Sequence, residues 1–188
     1  MTWAVDAARF GDALPFTSYL ETVQKNVDLW RGVYRTASVV PEALTRFATL
    51  ARPWRLLALS EDWCGDVANT LPVIARFAEQ AGIELRVLGR DANPELMRSH
   101  LTGGTSSIPV VMALDEELRE WGWWGPRPSA LQRRIRSELI LLPKDDRYRH
   151  TRAWYARDRG RTTIGEILEM LERGGRRRLA SGGQSPAR

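Results

Sequence analysis

The sequence predicts an α/β fold: a mixed sheet flanked by helices, extended at both ends by further helices. Three observations predict it. Leu56-Leu57-Ala58-Leu59 is a short, unbroken apolar run bounded by polar residues, the pattern of a strand buried on both faces. A helical stretch through Leu71, Ile74, Ala75 and Ala78 follows it and leads into a second apolar run, Ile83 to Leu88. Two further runs, Pro109–Leu114 and Leu118–Trp124, are joined by the acidic turn Asp115-Glu116-Glu117, as in a hairpin. A strand, a crossover helix and a strand make a parallel pair, and the hairpin adds antiparallel strands.

Ahead of the first strand the pattern is helical. Leu20, Val23, Val27, Trp30 and Tyr34 recur at helical intervals, and Ser18 and Glu21 have capping-box spacing. One helix of several turns is expected there. Pro41 suits a first helical position, and Leu44, Phe47 and Leu50 give a second, shorter helix. No strand is expected before Trp54. Residues 1–50 therefore read as a helical N-terminal extension that packs on a core at 51–142.

Within that core, Ser60 to Asp66 is a polar turn, Gly82 ends the crossover helix, and Asn93-Pro94 opens a short helix. Trp121 and Trp123 alternate onto one face of the last strand. Ser129 and Gln132 have capping-box spacing ahead of Leu131, Ile135 and Leu139. Pro143 to Arg161 is charged and fits no single element. Thr163 and Glu166 cap a last helix through Leu171, so that 143–175 packs on the core as a charged segment and a helix. Arg176 to Arg188 is rich in Gly, Ser and Arg and reads as a disordered tail.

The net charge of +5 is unevenly spread. Residues 1–126 carry a net −4, and residues 127–161 a net +7. A solvated face accounts for that arginine-rich segment, and a nucleic-acid partner is not expected from it alone. No apolar run is long enough to span a membrane, and the N-terminus lacks a basic start followed by an apolar stretch, so the expected location is cytoplasmic. One cysteine and two histidines are too few for a zinc site, and no metal or cofactor is expected.

Cys64, the single cysteine, falls between the first strand and the crossover helix. A thiol at a helix N-terminus meets unpaired N–H groups and the positive end of the helix dipole, and both favour the nucleophilic thiolate. Glu61, Asp62 and Asp66 oppose it. Asp66 reads either as a helix cap or as a proton carrier.

Leu56 to Trp124 resembles thioredoxin. Trp63-Cys64-Gly65-Asp66-Val67 stands where that family has Trp-Cys-Gly-Pro-Cys, Asp91-Ala92-Asn93-Pro94 resembles its Asp-x-Asn-Pro, and Ser107-Ile108-Pro109-Val110 its cis-proline motif. Gly125 falls where the family has a glycine after the last strand. The single-cysteine motif is similar to that of a bacterial branch with Cys-Gly-Asp-x. The resemblance implies a thioredoxin-like sheet, a cis Pro109 facing Cys64, and substrate docking at Trp63, Ile108 and Pro109. It also implies departures. Val67 replaces the resolving cysteine, and Ala58 stands where the family has a buried aspartate. Two functions stay open: a monothiol redox protein working through Cys64 on a protein disulfide or a small thiol, and a redox-inactive binding module for a peptide or protein.

Overall fold

The computed structural model describes residues 5–50 and 53–181. Its sheet has, in spatial order, β1 (Leu14–Pro15), β3 (Glu84–Gly89), β2 (Arg55–Ser60), β4 (Val110–Leu114) and β5 (Glu120–Trp124). β2 and β4 lie at its centre, and almost every residue in them is buried. β3 runs parallel to β2, while β4 and β5 form the antiparallel hairpin. Ala58 is sealed between Val87 of β3 and Val111 of β4. Five strands with one parallel pair make the mixed α/β sheet that the sequence predicts.

At the other edge is β1 (Leu14–Pro15), pairing antiparallel with β3, where no strand was expected. Two residues are too few to show a period. The pairing is fixed instead by Arg86, whose guanidinium donates to the carbonyls of Phe10, Gly11 and Ala13. α1 (Ala7–Asp12) precedes it, capped by Asp6.

The single helix expected through Leu20 and Tyr34 is two: α2 (Phe16–Thr22) and α3 (Val27–Thr36). Asn26 takes a left-handed conformation, and the amides of Gln24 and Lys25 donate to Asp62 at 2.9 and 3.0 Å. A carboxylate distant in sequence captures two N–H groups that would otherwise continue the helix, so tertiary contact overrides the periodicity. Ser18 lies inside α2 and caps nothing. α4 (Pro41–Ala48) starts at its proline as expected.

α5 (Gly65–Ala81) is the crossover helix, ended by Gly82 at φ 68°. α3 and α4 pack against it, with Trp30 and Phe47 buried. α6 (Pro94–Arg98) opens at Asn93. Asp115 organises the β4–β5 turn: its carboxylate accepts from the amides of Glu117 and Arg119 and from Trp121 Nε1. The turn therefore runs to Arg119, and β5 starts at Glu120 rather than at Leu118. The pairing slips between Ala113 and Leu114, where a bulge interrupts the alternation. Trp121 lies beside Gly174, while Trp123 meets His100 edge-on, so the two tryptophans do not share a partner.

α7 (Ser129–Ser137) leads through a short 3-10 turn to α8 (Lys144–Asp158), which gives the charged segment a definite structure. α9 (Arg161–Ser181) packs on β5 and α5. It continues through Arg176–Ser181, where a disordered tail was expected, and Arg178 there donates to the Pro53 carbonyl. Residues 182–188 of that expected tail lie outside the described residues. Thr163 is inside α9, and Glu166 acts on another helix: it accepts from the amide and hydroxyl of Ser129 at 2.8 and 2.6 Å. It also accepts from Trp124 Nε1 at 2.7 Å. The capping residue of α7 thus comes from α9.

Candidate functional site

Cys64 is the N-cap residue of α5, in extended conformation, directly after the loop that leaves β2. Gly65 is exposed and Val67 and Ala68 are buried, so the helix enters the core within its first turn. Cys64 itself is half-buried. Its Sγ donates to the carbonyl oxygen of Ile108 at 3.7 Å. The Ile108–Pro109 peptide bond is cis, and Ile108 is buried. The loop ahead of β4 thus faces the thiol across the end of the sheet. Trp63 is exposed, with the Arg90 guanidinium 5.1 Å from its ring centroid.

The three acidic neighbours of Cys64 have separate duties. Asp62 is taken up by the amides of Gln24 and Lys25, and its carbonyl accepts from Trp30 Nε1. Glu61 accepts from the amide of Asp91 at 2.8 Å. Asp66 does not cap α5. One of its oxygens pairs with Arg127 at 2.6 Å, and the other accepts from the Tyr155 hydroxyl at 2.9 Å. Arg127 also donates to Gln132 at 2.9 Å. Residues from α5, the β5–α7 connection and α8 are joined here through one carboxylate.

These surroundings hold the thiol pKa above its ordinary value. Burial is the largest cause, because it disfavours the charged sulfur. The N–H groups of Val67 and Asp66 and the charge of Arg127 pull the other way, while the carboxylate of Asp66 adds to the rise. Tyr155 is pushed up too, by burial first and then by Asp66. The helix-terminus effect is present but smaller than desolvation.

Sequence reasoning brought Trp63, Cys64, Asp66, Ile108 and Pro109 together, and all five lie at this end of the sheet. It missed Arg127 and Tyr155. Arg127 had a signal: β5 ends at Trp124 opposite Val111, so the residues after it must run beside Pro109. Gly125 is forced there, since a Cβ would overlap the Pro109 carbonyl oxygen, and the next bond, Gly125–Pro126, is also cis. Tyr155 had none, because it reaches the site from a helix with no amphipathic pattern in the sequence.

A cavity of about 450 Å³ opens from Cys64 between α3, α5 and α8, walled by Trp63, Asp66, Arg127 and Tyr148 among others. Among the described residues no cluster of three or more His, Cys, Asp or Glu is arranged to hold a metal ion. No described helix is long and apolar enough to cross a membrane.

A sequence profile of a family described as thioredoxin matches residues 13–139. The chain belongs to the thioredoxin family. Two solved structures share its fold. One is a protein of unknown function from Pseudomonas aeruginosa, with TM-score 0.71 and 21% identity over 89% of this chain and 98% of that one. The other is an HIV epitope scaffold, with TM-score 0.67 and 23% identity over 89% of this chain and 98% of that one. No curated protein matches. In this thioredoxin-family member the match extends past the motif-bearing strands to β1 and α7, so α2–α4 fall inside the family's span.

Proposed function

We propose that this protein is a monothiol redox protein in which Cys64 exchanges with a disulfide. The observation that carries the reading is the position of Cys64 Sγ, at the N-terminus of α5 and 3.7 Å from the Ile108 carbonyl ahead of cis Pro109, on the wall of an open cavity. Trp63 and the Ile108–Pro109 loop line the approach of the substrate. Val67 leaves no second thiol in the motif, so the product of attack is a mixed disulfide that an outside thiol must resolve. The raised thiol sets the working range: the thiolate fraction is small at neutral pH and grows as pH rises.

Alkylation of native Cys64 followed from pH 6 to 10 tests this. Labelling of the folded protein with a titration midpoint above the ordinary thiol range supports it, together with a mass increment of one small thiol after exposure to a disulfide. Labelling only after unfolding defeats it. A second reading, a binding module without turnover, is favoured by the raised thiol and the exposed Trp63. Under that reading Cys64→Ser leaves partner binding intact.

A further inference from the structure

The cavity at Cys64 is lined on its α8 side by Arg147, Tyr148, Thr151 and Arg152. These positions share one face of a helix, being one, four and five residues from the first. Arg147 and Arg152 have no ion-pair partner among the described residues, unlike Arg127, whose charge is met by Asp66. Arg147 and Arg152 thus border one small concavity whose carboxylate, Asp66, is already paired with Arg127, and they lie within a chain segment of net +7. A second cavity of about 540 Å³ shares Leu29, Asn69 and Arg152 with the first and continues between α3 and α8 as far as Arg159. The pair forms a groove that begins at the sulfur and runs along α5. The first cavity has the volume of a small-molecule site.

We infer that this groove binds a small acidic thiol or its disulfide, with carboxylates on Arg147 and Arg152 and its sulfur at Cys64. The inference rests on the redox reading for the sulfur chemistry and on charge complementarity for the ligand class. Guanidinium is suited to carboxylate through paired N–H donors. Tyr148 and Trp63, both exposed, supply apolar walls for the aliphatic body between the charges. Binding also answers the reluctance of the thiol. A ligand held at the site reacts at a high effective concentration, which compensates a small thiolate fraction. In the exchange, Cys64 gives up its proton to solvent and its thiolate attacks one sulfur of the disulfide R–S–S–R. That S–S bond breaks, a Cys64–S–S–R bond forms, and R–S⁻ leaves and takes up a proton. A second R–SH then attacks the mixed disulfide on the R sulfur, releasing Cys64 and R–S–S–R. Electrons balance within each exchange, so no further oxidant is needed.

The test compares three symmetric disulfides of similar size: 3,3′-dithiodipropionate, which is anionic, 2-hydroxyethyl disulfide, which is neutral, and cystamine, which is cationic. Rates of mixed-disulfide formation at Cys64 are measured by mass spectrometry at one pH and low salt, and each is divided by the rate of the same disulfide with free N-acetylcysteine, because the three leaving thiols differ in pKa. The anionic compound should react about tenfold or more faster than the cationic one, as expected for attraction to unpaired charges. The preference should fall toward unity in 0.5 M NaCl, where the screening length is only about 4 Å. Arg147→Gln with Arg152→Gln should abolish it, whereas Arg157→Gln, on the same helix but outside the groove, should not. Reaction with all three at equal rates overturns the acidic-ligand inference and leaves the redox reading standing. Should none react, binding of dithiodipropionate to the Cys64→Ser protein, read by Trp fluorescence, decides: saturable binding lost in the double arginine variant keeps the acidic site and removes the redox reading. No binding removes both.

Discussion

Asp66 joins Arg127 at 2.6 Å while accepting from Tyr155 at 2.9 Å, two residues along the chain from Cys64. One carboxylate therefore does two things at once. It fastens α8 and the end of the hairpin to the N-terminus of α5, and it places a negative charge near the sulfur. One substitution removes both effects, which makes Asp66 the informative position of the site.

Replacing Asp66 with Asn should lower the Cys64 pKa. The carboxylate that raises it is gone, and Arg127, which lowers it, loses its neutralising partner. The alkylation profile should shift to lower pH, and an unchanged profile would mean that burial alone sets the thiol. The same change removes an ion pair and weakens the bond from Tyr155, at a cost of about 1–3 kcal/mol in unfolding free energy. Tyr155→Phe should show part of that loss, because Phe fills the same space without the hydroxyl.

Gly125→Ala should be destabilising by about 1–3 kcal/mol, as overpacking against a backbone atom generally is. The added Cβ overlaps the Pro109 carbonyl, and neither neighbour is a flexible side chain end. Moving Pro109 moves Ile108, the acceptor of the Cys64 thiol. Denaturant unfolding gives the stability loss, and a changed Cys64 alkylation rate in the still-folded variant shows that the hairpin end positions the sulfur. Full retention of both properties would contradict the close approach.

His100 should make stability fall as pH rises above the ordinary histidine range. It is buried, its Nδ1 faces the Leu96 carbonyl at 2.8 Å, and its Nε2 faces Glu120 at 2.9 Å. Both are acceptors, and only the doubly protonated ring can donate to both at once. Burial opposes that charge, but the bonds to Glu120 and Leu96 outweigh it, and the pKa is raised above 6.5. A raised folded-state pKa gives stability that is complete below the unfolded value and disappears as pH rises through the folded one. Unfolding followed at pH 6 and pH 9 should show this loss in the native chain, and His100→Gln should flatten it. The edge contact of His100 with Trp123 at 5.6 Å offers a fluorescence readout of the same titration.

How much of this was legible beforehand follows from where each residue's constraint lies. β2, β4 and α5 carry their signals locally, as apolar runs or a helical period, and the sequence locates them. The motif residues Trp63, Cys64, Ile108 and Pro109 are likewise readable from their strand context. What the chain hides is set by partners far away. Asp62 splits a helix by capturing the amides of Gln24 and Lys25, Arg86 makes a strand of Leu14–Pro15, and Glu166 caps α7 from α9. α8 brings Tyr155, Arg147 and Arg152 to the cysteine although no period in its sequence marks the face that it turns inward.

Val67→Cys tests the monothiol character directly. Val67 is fully buried in the first turn of α5, three residues after Cys64, and its N–H stabilises the thiolate form of that sulfur. A cysteine there occupies the position of the second thiol in the family motif. It is smaller than valine, so the substitution costs packing, about 0.5–1.5 kcal/mol by analogy with the loss of one methyl group. If Cys64 is a working thiol, the variant should oxidise to an internal disulfide. It should then reduce a protein disulfide without the added small thiol that a monothiol mechanism needs. Two observations read the outcome: the loss of two free thiols on oxidation, and turnover in an insulin-reduction assay with and without a monothiol. A variant that forms the internal disulfide yet still depends on the added thiol would show that the docking surface, not the missing cysteine, limits turnover. A variant whose two cysteines both resist oxidation while the fold persists would argue that burial at this helix end, already the largest influence on Cys64, silences the position altogether.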